Sequence, residues 1–375
     1  MKRIVCLFAA TAALAAAAKS FEDSPLFVKR VDPYSGVVSY ILKPKAHAFS
    51  QQSIYFTNKS VTDDGRFLLF SASDNPQDRK KRATVVDLEK ETFTELPMRR
   101  HLIPFLDTAT DQVYWFDEEG LHRVDLLVDK AKDVIACPYP AELKKEGPMR
   151  SYCTHLTLSA DRKKAFLETR CRNEDRWVQG LVHIDSGTFE KWSETDYELA
   201  HGQINPANDR LALCARQPYW DGRDGKRRKV HPSPCGKGCP RLQLVEPGKV
   251  TMIPTQNAMH ATHENWAEDG KGFYWCANGD LGVYYHELAT GRQWCLCPRN
   301  AVHASMDASN RYVVFDNSVG RRYRGCVWTV GFYNRETGVC IYPFSKMEAL
   351  VPPEKPSTQH PDPHPQFVMG GRYIV

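Results

Sequence analysis

The chain predicts an all-β protein, a seven-bladed β-propeller whose ring is closed by strands from both ends of the sequence. Three observations carry the prediction: a turn-and-strand phrase that returns seven times, its nearly constant spacing, and a second turn phrase that appears once ahead of the first repeat. The first phrase places Asp or Asn beside Gly, Arg or Lys, followed by a burst of apolar residues. It occurs as Asp63-Asp64-Gly65-Arg66, Thr110-Asp111-Gln112, Asp161-Arg162-Lys163, Asn208-Asp209-Arg210, Asp269-Gly270-Lys271, Ser309-Asn310-Arg311 and Gly370-Gly371-Arg372. From Gly65 to Gly371 the turns lie 306 residues apart, an average of 51 per step. A period of that size with turn-then-strand chemistry is the signature of a radial β-array.

The second phrase is an extended stretch closing on an Asp or Thr turn, in four copies with Gly. It follows the repeats at residues 87–92, Asp185-Ser186-Gly187, Thr290-Gly291 and Thr337-Gly338, but one copy, Asp32-Pro33-Tyr34-Ser35-Gly36, precedes them all. The last repeat reaches Val375 with chain for only two strands. Residues 26–31 and 37–42 are therefore read as the outer strands of the final blade, and residues 365–368 and 373–375 as its inner pair. Closure of this kind removes a free sheet edge.

Composition suits that architecture. Hydrophobic residues make up 42% of the chain, and sixteen Tyr, seventeen Phe and eight Trp favour strands. Past residue 20 the nearest helix candidate is the short stretch 140–145. Lys2-Arg3, an apolar run over 4–18 and small residues at Ala16-Ala17-Ala18 read as a secretory signal peptide (1–18), leaving 19–375 as the propeller. No other apolar run is long enough to cross a bilayer, so a periplasmic or secreted location without membrane insertion is expected. Eleven cysteines follow the signal, an odd count that leaves at least one thiol unpaired, and Cys235 and Cys239 read as a local disulfide or, less well, a metal knuckle. Net charge is +5, with the densest basic run at residues 223–229. Export argues against nucleic acid as the partner of that run and leaves a solvated rim or an acidic polymer.

Five histidines share one phase of the repeat, just upstream of the turn: His155, His201, His263, His303 and His364. In a propeller that phase is the start of the innermost strand, so the five are expected at one rim of the central channel, where converging imidazoles suit a metal or an acid–base site. Thr358-Gln359-His360-Pro361-Asp362-Pro363-His364-Pro365 adds a stiffened segment in which Asp362 and His364 share a face. Mixed imidazole, carboxylate and amide donors suit Mn²⁺ or a similar borderline-hard ion.

These residues resemble the oligogalacturonate lyases, a seven-bladed propeller family of pectate-fragment lyases. The likeness runs along the whole mature chain. It is strongest at His201-Gly-Gln-Ile-Asn-Pro, Pro218-Tyr-Trp220, Arg241-Leu-Gln-Leu, His263-Glu264-Asn-Trp266 and Gln359-x-x-Asp362-x-His364-Pro. The resemblance implies His201 as the proton-abstracting base, Arg241 on the substrate, and His263, Gln359, Asp362 and His364 as manganese ligands. Arg216, Trp220 and His303 are then expected to line the substrate. Two departures stand out. Asp362 replaces a histidine of the family's His-Pro-His-Pro, with His360 as a possible substitute, and the first repeat, Gln51-Gln52-Ser53-Ile54-Tyr55-Phe56, carries no histidine.

Such a lyase removes the C5 proton of a 4-linked uronate, while a cation on the neighbouring carboxylate offsets the developing charge. The partner is thus an acidic oligosaccharide. Two rivals remain at this stage: a lyase or hydrolase for another acidic glycan, ulvan-like or glucuronate-containing, and a non-catalytic exported propeller that binds glycan or protein.

Overall fold

The computed structural model describes residues 21–43, 48, 50–75, 81–99, 102–128, 132–147, 149–151, 155–171, 176–217, 219–221, 227–229, 240–255, 261–277, 282–319, 327–347 and 362–375. Among these residues the fold is an all-β propeller with six blades, each an antiparallel sheet whose strands follow chain order. The first sheet comprises Ser50–Ser53, Phe67–Ser73, Arg82–Asp87 and Thr92–Glu95; the second, Phe105–Asp107, Gln112–Phe116, Gly120–Asp125 and Val134–Pro138. In the third, Met149–Ser151 and Thr157–Leu158 share the inner position beside Lys164–Cys171, Trp177–His183 and Thr188–Thr195. The fourth is Leu199–Asn205, Asn208–Arg216, Leu242–Glu246 and Lys249–Met252, with the hairpin Tyr219–Asp221 and Arg227–Lys229 inserted between its middle strands. Ala261–Trp266, Gly272–Ala277, Gly282–Glu287 and Gln293–Cys297 form the fifth; Ala304–Met306, Tyr312–Val319, Val327–Asn334 and Cys340–Met347 form the sixth. The expected seventh blade is represented by two separate two-stranded sheets, Phe27–Val31 with Val38–Leu42 and Phe367–Val368 with Tyr373–Ile374.

The recurring turn has a physical cause. The Asp or Asn side chain accepts the backbone N–H two residues on, as in Asp64 to Arg66 (2.9 Å), Asp161 to Lys163 (3.0 Å), Asn208 to Arg210 (3.0 Å) and Asp269 to Lys271 (3.0 Å). A left-handed residue completes several copies: Gly65, Asp111, Arg162, Gly270, Asn310 and Gly370 have φ between 53° and 78°. At Gly270 a side chain is also barred by space, since a Cβ would lie 2.5 Å from the Asn205 Oδ1 of the preceding sheet.

Antiparallel order fixes which ends of the strands meet. Each first strand begins at the end where the second strand finishes and the third starts. In the fourth sheet Leu199 pairs with Arg216 at that end, and Asn205 pairs with Asn208 across the tight turn at the other. The tight turns therefore line one face of the ring. The connections between second and third strands open on the opposite face, where the histidines begin the inner strands.

The core lies between neighbouring sheets. Leu69, Val85, Val113 and Trp115 pack together between the first and second sheets, and Phe116, Leu121, Leu167 and Val178 between the second and third. Phe166, Trp192 and Cys214 fill the next interval, then Leu213 with Trp275, then Tyr274 with Phe315. Both terminal hairpins join a cluster with Leu68, Phe70 and Val86 of the first sheet. Full burial of a large apolar side chain contributes about 1.5–3 kcal/mol, and here almost every such residue needs its neighbour blade to be buried at all.

Hydrogen bonds complete the ring near the channel. Asn58 Nδ2 donates to Pro104 O (2.9 Å), Ile204 N to Thr157 Oγ1 (3.0 Å), and Asn205 Nδ2 to Gly270 O (2.8 Å). His364 N donates to Asp316 Oδ2 (3.1 Å), Gln52 Nε2 to Asp362 O (2.6 Å), and Ser60 N to Gln366 Oε1 (2.8 Å). Segment 362–368 is thereby wedged between the sixth and first sheets.

The helix candidate is present as Ala141–Lys145, and among the described residues no helix is long and apolar enough to cross a membrane. Cys137, Cys214, Cys276, Cys295, Cys297 and Cys340 are thiols outside any disulfide. The signal segment, Cys235, Cys239, Gln359, His360 and the basic residues 223–226 lie outside the described residues, as does the side chain of Trp220.

The Phe27–Leu42 hairpin is held to the sixth sheet by the Asp32 carboxylate and by Arg30, whose Nη2 donates to Lys346 O (3.3 Å). Asp32 Oδ2 accepts from Ser345 N (2.8 Å) and Ser345 Oγ (2.7 Å), while Oδ1 accepts from Ser35 N (2.9 Å) and Tyr34 N (3.0 Å). Desolvation alone would raise this carboxyl; the donors of Ser345, Ser35 and Tyr34 prevail and hold it well below its ordinary 3.8. Its contribution to stability is therefore full above that ordinary value and is lost as pH falls further. Asp32→Ala should destabilise the protein by about 1.5–3 kcal/mol at neutral pH and by less below pH ~3, measured as urea midpoints at the two pH values.

Candidate active site at the channel mouth

The five histidines converge as their phase predicts. His155 stacks on His201 (ring centroids 4.5 Å apart), His263 lies 4.2 Å from His303, and His303 lies 4.4 Å from His364. Tyr55 stands among them, 4.4 Å from His155, 5.0 Å from His364, 5.8 Å from His303 and 5.9 Å from His201. Phe56 packs beside His303 and His263 at 5.4 and 6.2 Å. Tyr55 thus occupies the histidine phase of the first repeat, and burial raises its hydroxyl well above the ordinary 10.0, so it stays protonated.

Each histidine sits where its inner strand is broken. His201 and His263 fall inside register shifts between Ala200 and Gln203 and between Thr262 and Asn265. Both are left-handed, with φ of 60° and 56°, as is His364 at 50°. His155 lies between the two short strands of the third sheet, and His303 just ahead of Ala304–Met306. A bulge re-aims a side chain and frees backbone groups, and left-handed backbone at non-glycine residues costs about 1–2 kcal/mol each. Strain that recurs at one ring of residues marks a functional site.

One group of side chains has the donors of a metal site. Candidate ligand atoms of His303, Asp362 and His364 all lie within 4.8 Å of one another. Asp362 Oδ2 is 3.8 Å from His303 Nε2 and 3.7 Å from His364 Nε2, spacings that suit donors sharing one ion at bonds of about 2.1 Å. Asp316, fully buried, fixes the geometry from behind. Its carboxylate accepts from His303 Nδ1 (3.0 Å), from His303 N (2.8 Å) and from His364 N (3.1 Å). With Nδ1–H so engaged, His303 presents the Nε2 lone pair toward Asp362. A carboxylate behind a histidine ligand is the usual support of such centres, and two imidazoles with a carboxylate suit Mn²⁺.

Opposite lies a buried ion-pair network. The Glu264 carboxylate accepts from His201 Nδ1 and from Arg241 Nη1, each at 2.8 Å, and the same Nη1 donates to Ala261 O at 2.9 Å. Burial alone would raise the Glu264 carboxyl; Arg241 and His201 overcome that and bring it down to about 2. His155 is driven well below its ordinary 6.5, first by burial and then by His201, and is neutral. Lys81 is lowered to about 8 by burial, partly offset by Asp362, and donates to Gln52, whose amide in turn donates to the Asp362 carbonyl.

The structure therefore brings Asp362 and His364 to His303, which the sequence assigns to substrate, whereas His263 stands one ring further along. The reason is ring order: segment 362–368 adjoins the sixth sheet, and histidine phase alone does not say which imidazoles become neighbours. His201 and Arg241 meet through Glu264, with Arg241 nearly buried. Arg216 is buried too, its guanidinium 5.7 Å from the Tyr197 ring, and its backbone N–H donates to Arg241 O (2.7 Å). Tyr55, Lys81, Glu264 and Asp316 were missed. A side-by-side alignment of the repeats points to Tyr55; no comparable signal points to the carboxylates.

Because Glu264 is fully buried, removing its partner should be costly. Arg241→Met should destabilise the fold by about 3–5 kcal/mol. The stabilisation from Glu264 is full above its ordinary 4.5 and is lost as pH falls toward 2. Without Arg241 the folded-state carboxyl rises back from about 2, so the variant should lose less stability than the parent as pH falls from 4.5 toward 2, read as urea midpoints across that range.

No family model matches the chain and no curated protein matches it. Solved structures do. An oligogalacturonate lyase in complex with manganese superimposes with a TM-score of 0.66 at 17% identity, over 93% of this chain and 91% of that one. An oligogalacturonate lyase from Vibrio parahaemolyticus gives the same TM-score and identity, over 93% and 92% of the two chains. The chain shares the propeller fold of these oligogalacturonate lyases.

Proposed function

We propose that the protein is a divalent-metal-dependent polysaccharide lyase that cleaves oligosaccharides of 4-linked uronic acid by β-elimination. The observation that carries this is the juxtaposition, at one channel mouth, of a three-donor group (His303, Asp362, His364) with an imidazole, His201, backed by an ionised carboxylate. The manganese named for one structural relative agrees with the donor chemistry. His263 flanks the group, and Gln359 adjoins Asp362 in sequence, as candidates to complete it. Lys81 supplies a cation beside it.

His303, Asp362 and His364 would hold the ion, which would withdraw charge from the substrate carboxylate and make the C5 proton more acidic. His201 has Nδ1–H committed to Glu264, leaving Nε2 to accept the C5 proton. The C5–H electron pair becomes the C4–C5 double bond as the C4–O bond breaks, the departing oxygen takes a proton from water, and His201 gives up its own to the resulting hydroxide. An unsaturated uronate and a shortened oligosaccharide result. Galacturonate oligomers are the first candidates; glucuronate-containing or ulvan-like chains are the alternative acidic substrates.

We also read the terminal hairpins as two halves of a seventh blade. The Asp32–Gly36 turn repeats the bond that joins third and fourth strands elsewhere: Gly36 N donates to Asp32 O, Gly187 N to His183 O, Gly291 N to Glu287 O and Gly338 N to Asn334 O, all at 2.9 Å. Gly370, by contrast, belongs to the turns between first and second strands. An exported, periplasmic or secreted location goes with the proposal through residues 1–18.

Purified protein should carry a divalent ion by elemental analysis, and His364→Ala should lose it while still melting cooperatively. Failure of the parent to bind any ion from millimolar Mn²⁺ would overturn the metal site. Oligogalacturonides should yield the ultraviolet absorbance of an unsaturated uronate, a product that a non-catalytic propeller cannot make. His201→Ala should lower turnover ~10²–10⁴-fold with metal content and oligosaccharide binding unchanged. If that variant keeps most of its activity, His201 is not the base.

A further inference from the structure

Glu264 is the one fully buried carboxylate in contact with His201, and the elimination scheme gives it no chemical step. It follows His263 in the bulge of the fifth sheet, where the register shift between Thr262 and Asn265 lets two consecutive residues serve neighbouring parts of the channel. His263 lies against His303, while Glu264 reaches across to the fourth sheet. Its backbone is held as firmly as its side chain. Gln203 Nε2 donates to Glu264 O at 2.9 Å, and Trp266 Nε1 donates to Gln203 O at 3.0 Å. One carboxylate oxygen takes His201 Nδ1–H and the other takes Arg241 Nη1–H, which is also bonded to Ala261 O. Next to His201, Gly202 leaves no room for a side chain, since a Cβ would lie 2.3 Å from Glu168 Oε2 and 2.7 Å from the Phe166 ring. The imidazole is therefore gripped on its Nδ1 side by a rigid frame spanning two blades.

We propose that Glu264 is a positioning residue for His201, selecting the tautomer with the proton on Nδ1, aiming the Nε2 lone pair into the channel and stabilising the imidazolium formed when Nε2 takes the C5 proton. The inference rests on the lyase reading above. Glu264 does not itself abstract the proton: both its oxygens already accept hydrogen bonds from cationic or imidazole donors, and its charge is held by Arg241. The proton moves from C5 to Nε2, the Nδ1–H bond to Glu264 persists and the carboxylate stays ionised throughout; water protonates the departing oxygen and the hydroxide so formed takes the Nε2 proton, so charge and protons balance. A neutral amide in its place can either accept from Nδ1 or donate to it, so the tautomer is no longer imposed.

The test is Glu264→Gln in the full-length, metal-loaded protein. Turnover should fall at least tenfold, within the ~10²–10⁴-fold that a positioned base supplies, while KM stays within about twofold and metal content is unchanged. In ¹⁵N-histidine-labelled protein, the parent should show a downfield Nδ1 proton for His201, assigned by its absence in His201→Ala, and Glu264→Gln should shift or abolish it. Parent-like turnover in Glu264→Gln, or a parent His201 protonated on Nε2 alone, overturns the proposal. If the buried Arg241 charge prevents Glu264→Gln from folding, Glu264→Gln/Arg241→Met removes both charges together, and the same turnover comparison applies against Arg241→Met. A parent inactive on every uronate oligomer would sink the lyase reading instead, a result separable from the spectrum, which reports the His201 hydrogen bond without turnover.

Discussion

No sheet in this protein can bury its faces alone; each depends on the next, and the ring must close for the first and last to be covered. That constraint explains the distribution of apolar residues, which cluster between sheets and not within one centre. It also explains why segment 362–368 is bonded on both sides. His364 and Asp316 tie it to the sixth sheet, while Gln52 and Ser60 tie it to the first. The same wedge delivers Asp362 and His364 to the channel. Closure and the candidate metal centre thus come from one piece of chain, closure through its backbone and Gln366, the centre through the side chains of Asp362 and His364.

Much of the architecture was legible because its turns depend on chemistry that few residues supply. Asp64, Asp161, Asn208 and Asp269 each bond the backbone two residues on, and a short carboxylate or amide is needed for that. The phase of the histidines was legible for the same reason, being measured from those turns. Neighbour relations across the ring were not. His201 and Glu264 are 63 residues apart, and only the angular order of the sheets puts them in contact. The bulge at His263 was likewise invisible, because no glycine or proline marks it, whereas Gly202 is the one local sign of the bulge at His201; both are held by interactions such as those of Gln203 and Trp266.

The two carboxylates behind the histidines, Glu264 and Asp316, give the mouth two chemically different halves. Asp316 makes His303 a ligand-type imidazole beside another carboxylate, whereas Glu264 and Arg241 hold His201 in a buried ion-pair network against His155. Identical side chains at identical repeat positions are thereby assigned different work by what lies behind them. Tyr55 separates the halves and, with its raised proton affinity, cannot join the anionic side.

Topology separates folding from recognition in space. Tight turns whose geometry the ring requires occupy one face, while the connections between second and third strands leave and return beside the histidines, as residues 217–241 do between Arg216 and Leu242. Lengthening such a connection is thermodynamically mild, each doubling costing about 0.6 kcal/mol in loop entropy. Over evolutionary time the mouth can therefore acquire or discard whole recognition segments while the ring beneath stays constant. Relatives with this fold should differ most in these connections, and exchanging one between them would leave every blade untouched.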